Sequence, residues 1–220
     1  MCTCREVNPH RRRFLLALAA GAAWAPFRSA TAMQGPGGGS LHRSKGGVLI
    51  NEKPAEAGSV VVAGDTVTTG QDGEAVFTLG DDAFLLRSAS KVTIRDSVGT
   101  SRPQRELSLE SGRVLSVFGP KQITLKTPQL NVGIRGTAAY LEAEPGATNV
   151  CVCYGHAVMA PQGVPEQSEE VHTHHHDAPR RIVAGRAGLV MQPFMVVNHA
   201  DEELVMLEAL LGRVPPFVRK

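Results

Sequence analysis

Thr127-Pro128-Gln129-Leu130-Asn131-Val132-Gly133-Ile134-Arg135-Gly136-Thr137-Ala138-Ala139-Tyr140-Leu141-Glu142 is the most distinctive stretch of the 220-residue chain. A glycine inside a strand marks a bulge or a close backbone approach, and a bulge re-aims the side chain beside it. Arg135, Gly136 and Thr137 therefore form a candidate site with two open readings. In one, Arg135 grips a carboxylate-bearing ligand or partner at two points. In the other, Arg135 and Thr137 satisfy backbone groups where strands cross.

Working outward, short alternating segments surround this stretch. Ala75, Phe77 and Leu79 alternate with polar residues, as do Val92 and Ile94, Leu107 and Leu109, and Ile123 and Leu125. Period-two alternation puts apolar groups on one sheet face and polar groups on the other. Gly64-Asp65, Asp72-Gly73, Gly80-Asp81-Asp82 and Ser111-Gly112 supply residues that tolerate positive φ between strands. Turn signals at this spacing predict an all-β fold, a compact antiparallel β-sandwich or β-roll of many short strands. Residues 161–180, with Pro161, Gly163, Pro165 and a histidine cluster, read as a long surface loop. Residues 181–191 read as a strand or two. One C-terminal helix follows, with Asn198 as N-cap and Asp201, Glu202 and Glu203 in its first turn. Its apolar face of Leu204, Leu207 and Leu211 either packs on the domain or docks a partner, and Gly212 ends it.

Several separated motifs resemble the FecR-domain family, in the family's order. They are Gly64-Asp65-Thr66-Val67-Thr68-Thr69-Gly70, Gly73 to Leu79, Leu109-Glu110-Ser111-Gly112-Arg113-Val114-Leu115, and the quoted stretch, which is similar to the pattern T-P-x-x-x-V-x-V-R-G-T. The resemblance covers about residues 46–160. It implies a compact all-β periplasmic domain. In the family's namesake that domain belongs to a sensor that passes an iron-citrate signal from an outer-membrane transporter to a cytoplasmic sigma factor. The present sequence shows neither a spanning segment behind the domain nor a sigma-binding region. The resemblance thus implies an exported, non-enzymatic module that binds an envelope protein partner or small ligand, in iron- or metal-related signalling.

The first 32 residues read as a signal peptide. Arg11, Arg12 and Arg13 precede an apolar run from Phe14 to Pro26, shorter than the ~20 residues a spanning helix needs. Ala30-Thr31-Ala32 is a small-x-small cleavage pattern. Arg11-Arg12-Arg13-Phe14-Leu15 resembles the twin-arginine export signal, the other reading being an ordinary secretory leader. The expected location is the periplasm. Residues 33–46, rich in Gly and Pro, read as a flexible linker, residues 47–160 as the β domain and residues 161–220 as loop, short strands and helix.

The formal charge of +2 gives no support for a nucleic-acid partner. Without the leader, eighteen basic residues face twenty acidic ones, a net of −2, and two of the four cysteines and the single Trp are gone. The mature chain carries no membrane span, and its oligomeric state is not fixed by sequence.

Cys151 and Cys153 remain, two apart on a strand and so on one face, with Val150, Val152 and Tyr154 on the other. Three readings stand: a disulfide, for which extended Cα spacing of ~6.5–7 Å demands a bend; thiolate ligands for a soft metal; or two small buried hydrophobes. His172, His174, His175, His176 and Asp177 add five potential ligands within six residues. Imidazole suits Zn, Cu and Ni, and iron enters through the family resemblance. His156 and the His199-Ala200-Asp201 run join if the loop folds back. The rival reading is accordingly a periplasmic metal carrier or sensor holding Zn, Cu or Fe. The other reading of these histidines is a solvated polar loop that titrates near neutral pH. No G-x-S-x-G, phosphate loop or dinucleotide fingerprint occurs, so no enzyme is predicted.

Overall fold

The computed structural model describes residues 38–97, 104–185 and 188–218. The leader and Arg11–Arg13 lie outside the described residues. Among the described residues, fifteen strands join one sheet. They are β1 (Gly39–Lys45), β2 (Val48–Ile50), β3 (Lys53–Pro54), β4 (Val60–Val61), β5 (Thr66–Thr69), β6 (Glu74–Leu79), β7 (Asp82–Leu86) and β8 (Lys91–Asp96). After them come β9 (Gln104–Val117), β10 (Gln122–Lys126), β11 (Leu130–Glu144), β12 (Ala147–Pro161), β13 (Glu169–Thr173), β14 (Arg180–Gly185) and β15 (Gly188–Pro193). An α-helix, α1, spans Asp201–Leu210. The all-β expectation holds, with two refinements: three strands are long, at 14 or 15 residues, and β9 and β10 pair parallel, unlike the antiparallel pairs around them.

The long strands bend at glycines. Gly112 has a φ of +85°, and a Cβ there would lie 2.3 Å from the Ser90 hydroxyl. The residue expected in a hairpin turn is thus a corner in the middle of β9. Before the corner, β9 pairs with β8 and β10; after it, with β7 and β11. β11 makes a matching break at Gly136 (φ +58°), opposite Gly155 (φ +101°) of β12. These corners curl the sheet over one face. Leu41, Phe77, Leu86, Ile94, Leu107, Leu125, Leu141 and Val152 line a continuous cluster there, each at most 1% exposed.

The opposite face carries a second cluster: Leu85, Leu115, Val117, Ala138, Tyr140, Cys151, Cys153 and Tyr154, covered by Leu204 and Leu207 of α1. The helix packs on the domain. Arg87 donates to both Glu203 carboxylate oxygens at 2.8 Å, and Glu208 accepts from the Tyr154 hydroxyl and from Arg213.

Four expectations are corrected. Gly39–Lys45, read as linker, is a strand paired with β6 and β4. Its first glycine provides close approach, not flexibility: a Cβ on Gly39 would sit 1.7 Å from the Thr78 carbonyl oxygen. Residues 161–180 are only partly loop, since a 3-10 turn at Pro165–Gln167 leads into β13. The residue capping α1 is Ala200, whose N–H donates to Glu203 Oε2 at 3.0 Å. Asn198, at φ +57°, turns its amide to the sheet instead. Tyr154 lies on the same side as the two thiols. Val152 faces Ala139 and Tyr154 faces Ala138, so Cys153 is the extra residue of a bulge that resets the alternation.

Candidate metal centre

Strand β12 presents the Cys151 and Cys153 thiols to the helix-covered face, both buried and both free of a disulfide. Directly after β13, the chain turns through His174, His175 and His176. Asp177 holds this turn by accepting the N–H of His174 at 2.7 Å and of His175 at 3.3 Å. The His176 N–H donates to the Cys153 carbonyl at 2.8 Å, which pins the turn to β12. The segment entering α1 supplies His199, whose ring stacks on Tyr140 at 4.6 Å.

Four ligand atoms converge from these three segments. The Sγ atoms of Cys151 and Cys153 and one ring nitrogen each of His176 and His199 lie within 4.8 Å of one another. Cys151 Sγ is 3.3 Å from His176 Nδ1, and His199 Nε2 is 3.1 Å from the same Nδ1. Each imidazole is anchored through its other nitrogen: His176 Nε2 to Asp201 Oδ1 at 3.1 Å, His199 Nδ1 to the Val197 carbonyl at 2.7 Å.

The electrostatics separate the thiols. Hydrogen bonding with Cys153, His176 and His199 outweighs burial and holds Cys151 well below the ordinary thiol range. Burial and the neighbouring Cys151 push Cys153 up. Contact with Cys151, helped by Asp201, raises His176 despite its burial. Of the two thiols, Cys151 is therefore the more acidic.

The remaining candidate ligands fall elsewhere. His174 is exposed and outside every cluster of ligand atoms among the described residues. His175 meets Asp201 at 2.8 Å on the rim. His172 stacks on His156 across β13 and β12, where Glu170 accepts from His156 at 2.7 Å. Asp177 is occupied with the turn. Arg135 is exposed, while Thr137 is buried and donates to the Arg135 and His156 carbonyls at 3.0 and 3.1 Å. Gly136 and Thr137 sit at the register break of β11 between Arg135 and Ala138.

Sequence reasoning did not single out Glu142. It is buried on the same face as the thiols, accepting from Arg113 at 2.5 Å, Asn149 at 2.9 Å and Asn198 at 3.3 Å. Burial works against its charge, but these donors hold it below the ordinary carboxylate range. An acid closing an otherwise apolar run was the available signal.

The described residues form an all-β module. The FecR protein family model matches residues 65–158, from the start of β5 nearly to the end of β12, so this part of the chain is a FecR domain. No curated protein matches the chain. Two crystal structures of a candidate anti-sigma factor from Parabacteroides distasonis, at 1.65 and 2.50 Å resolution, are similar to it at 15% identity and a TM-score of 0.46. Each likeness covers 65% of this chain and 64% of that one. Among the described residues, no helix is long and apolar enough to cross a membrane.

Proposed function

We propose that the chain is an exported, non-enzymatic regulatory module that acts by binding a partner protein or ligand in the cell envelope. The FecR match over residues 65–158 carries this reading. The basic cluster Arg11–Arg13 ahead of an apolar run supports export. Strand β15, which among the described residues pairs only with β14, supplies a sheet edge suited to strand addition by a partner. The test is a chromosomal deletion in the native cell, complemented by the wild-type chain or by one with Arg11, Arg12 and Arg13 changed to Lys. A defined set of transcripts should change on deletion and be restored only by the wild-type chain. An unchanged transcript profile across envelope-stress and metal regimes sinks the regulatory reading. Full restoration by the triple-Lys chain, if that chain stays in the cytoplasm, sinks the envelope location.

A second reading, a metal carrier or sensor, is favoured by the convergence of Cys151, Cys153, His176 and His199.

A further inference from the structure

We propose that Cys151, Cys153, His176 and His199 form a closed, four-ligand zinc site whose ion fastens the C-terminal segment to the sheet. This rests on the ligand set of the metal reading, not on partner binding. It departs from the carrier form of that reading, because a carrier must surrender its ion.

Tetrahedral zinc with Zn–S near 2.3 Å and Zn–N near 2.0 Å has ligand–ligand edges of about 3.3–3.8 Å. The observed Cys151–His176 and His176–His199 separations of 3.3 and 3.1 Å are close to those edges. Four protein ligands, two thiolate and two imidazole, complete a structural site and leave no position for an exchangeable water.

The Val197 carbonyl accepts only, so His199 Nδ1 must donate to it. The Asp201 carboxylate imposes the same on His176 Nε2. In the neutral rings, His176 Nδ1 and His199 Nε2 then carry lone pairs that point at each other across 3.1 Å. Either a proton held by one ring or a cation bound by both resolves this contact. A proton satisfies two atoms, whereas a dication satisfies these two and both sulfurs. The Asp201–His176 contact and the Val197–His199 contact are the outer-shell partners that metal-bound imidazoles ordinarily keep.

The ligands come from β12, from the turn after β13 and from the residue two positions before α1. The ion would tie the C-terminal segment to β12 and to the turn after β13, which are already held together. His199 is the single ligand from the C-terminal segment, so it is the bolt of the clamp. By contrast, the exposed His156–Glu170–His172 group offers three ligands within two adjacent strands and closes nothing.

The experiment uses the full mature chain, made without a histidine tag in zinc-supplemented medium and purified under reducing conditions. Elemental mass spectrometry should find one zinc per chain. Cobalt exchanged into the site should show the visible spectrum of a tetrahedral thiolate–imidazole complex. His199→Gln should weaken zinc binding by at least a hundredfold. Asp201→Asn, which leaves all four ligands in place, should weaken it by roughly 10–100-fold. His172→Ala and His174→Ala should leave it unchanged. Circular dichroism of each variant establishes that the sheet is intact. Chelation should speed protease cleavage within residues 194–218 at least tenfold while β5 to β12 stay protected. Absence of zinc at micromolar supply, equal binding by the His199 variant, or a Cys151–Cys153 disulfide in the native protein overturns the site. Zinc bound without any change in cleavage overturns the clamp. Zinc bound as expected, with transcripts unchanged on deletion of the chain, would break the regulatory reading alone.

Discussion

The two faces of the sheet are sealed by different means. The inner face is closed by the sheet itself, through the corners at Gly112, Gly136 and Gly155, and is lined almost wholly by aliphatic and aromatic groups. The outer face is closed by residues that return from far along the chain: His176, Asn198, His199, Leu204, Leu207 and Glu208. Its buried surface includes two thiols, two carboxylates and two phenols. The comparison teaches that the inner face carries the fold, whereas the outer face carries chemistry and depends on a segment beyond the FecR match for its cover.

The largest expected effect tests the inner face. Phe77 is fully buried and stacks on Phe84 at 4.9 Å. Phe77→Ala should cost about 3–5 kcal/mol and lower the urea midpoint of the entire sheet. An equally deep substitution on the outer face should behave differently. Leu207→Ala should cost roughly 2–3 kcal/mol, read as faster amide exchange in residues 194–218 with β9 to β12 still protected. Global unfolding in both cases would erase the distinction between the faces.

Glu142 sharpens it through pH. Its carboxyl is held below its ordinary value of 4.5, so its stabilisation is present in full above that pH. It is lost as pH falls through the lowered folded value. Glu142→Gln should therefore flatten the acid limb of stability below about pH 4.5 and remove about 1.5–3 kcal/mol at neutral pH. An acid limb identical to wild type would show that the outer-face carboxylate does not hold the cover in place. The smallest effect belongs to Arg135, which is exposed. Arg135→Ala should stay within about 0.5 kcal/mol of wild type in chemical unfolding. A larger loss would return this residue to the scaffold, whereas loss of partner binding at unchanged stability would give it the ligand role.

The inner face was legible because alternation is local. Phe77 and Leu79, Val92 and Ile94, and Leu107 and Leu109 all point where period two sends them. The corner glycines were visible too, although Gly112 looked like a turn because a bend and a hairpin draw on the same positive φ. The outer face was less legible for a physical reason. The bulge at Cys153 breaks the count, so Tyr154 lands on the thiol side. His176 and His199 are separated by 22 intervening residues that include two strands, and no spacing rule joins them. Gly39 misled because glycine serves close packing and flexibility with the same letter; only the Thr78 carbonyl against it decides which.

Strand β9 has a consequence for how the chain is made. Its first half needs β8 and β10 as neighbours, and its second half needs β7 and β11. A nascent chain stopped before residue 122 has β7 and β8 in hand, yet both opposite edges of β9 stand open along 14 residues. Open strand edges invite pairing with other chains, and contacts of this sequence separation form slowly. The interval between synthesis of β9 and arrival of β11 is therefore when this protein is most exposed to aggregation, and it is the stage a holding chaperone would have to cover.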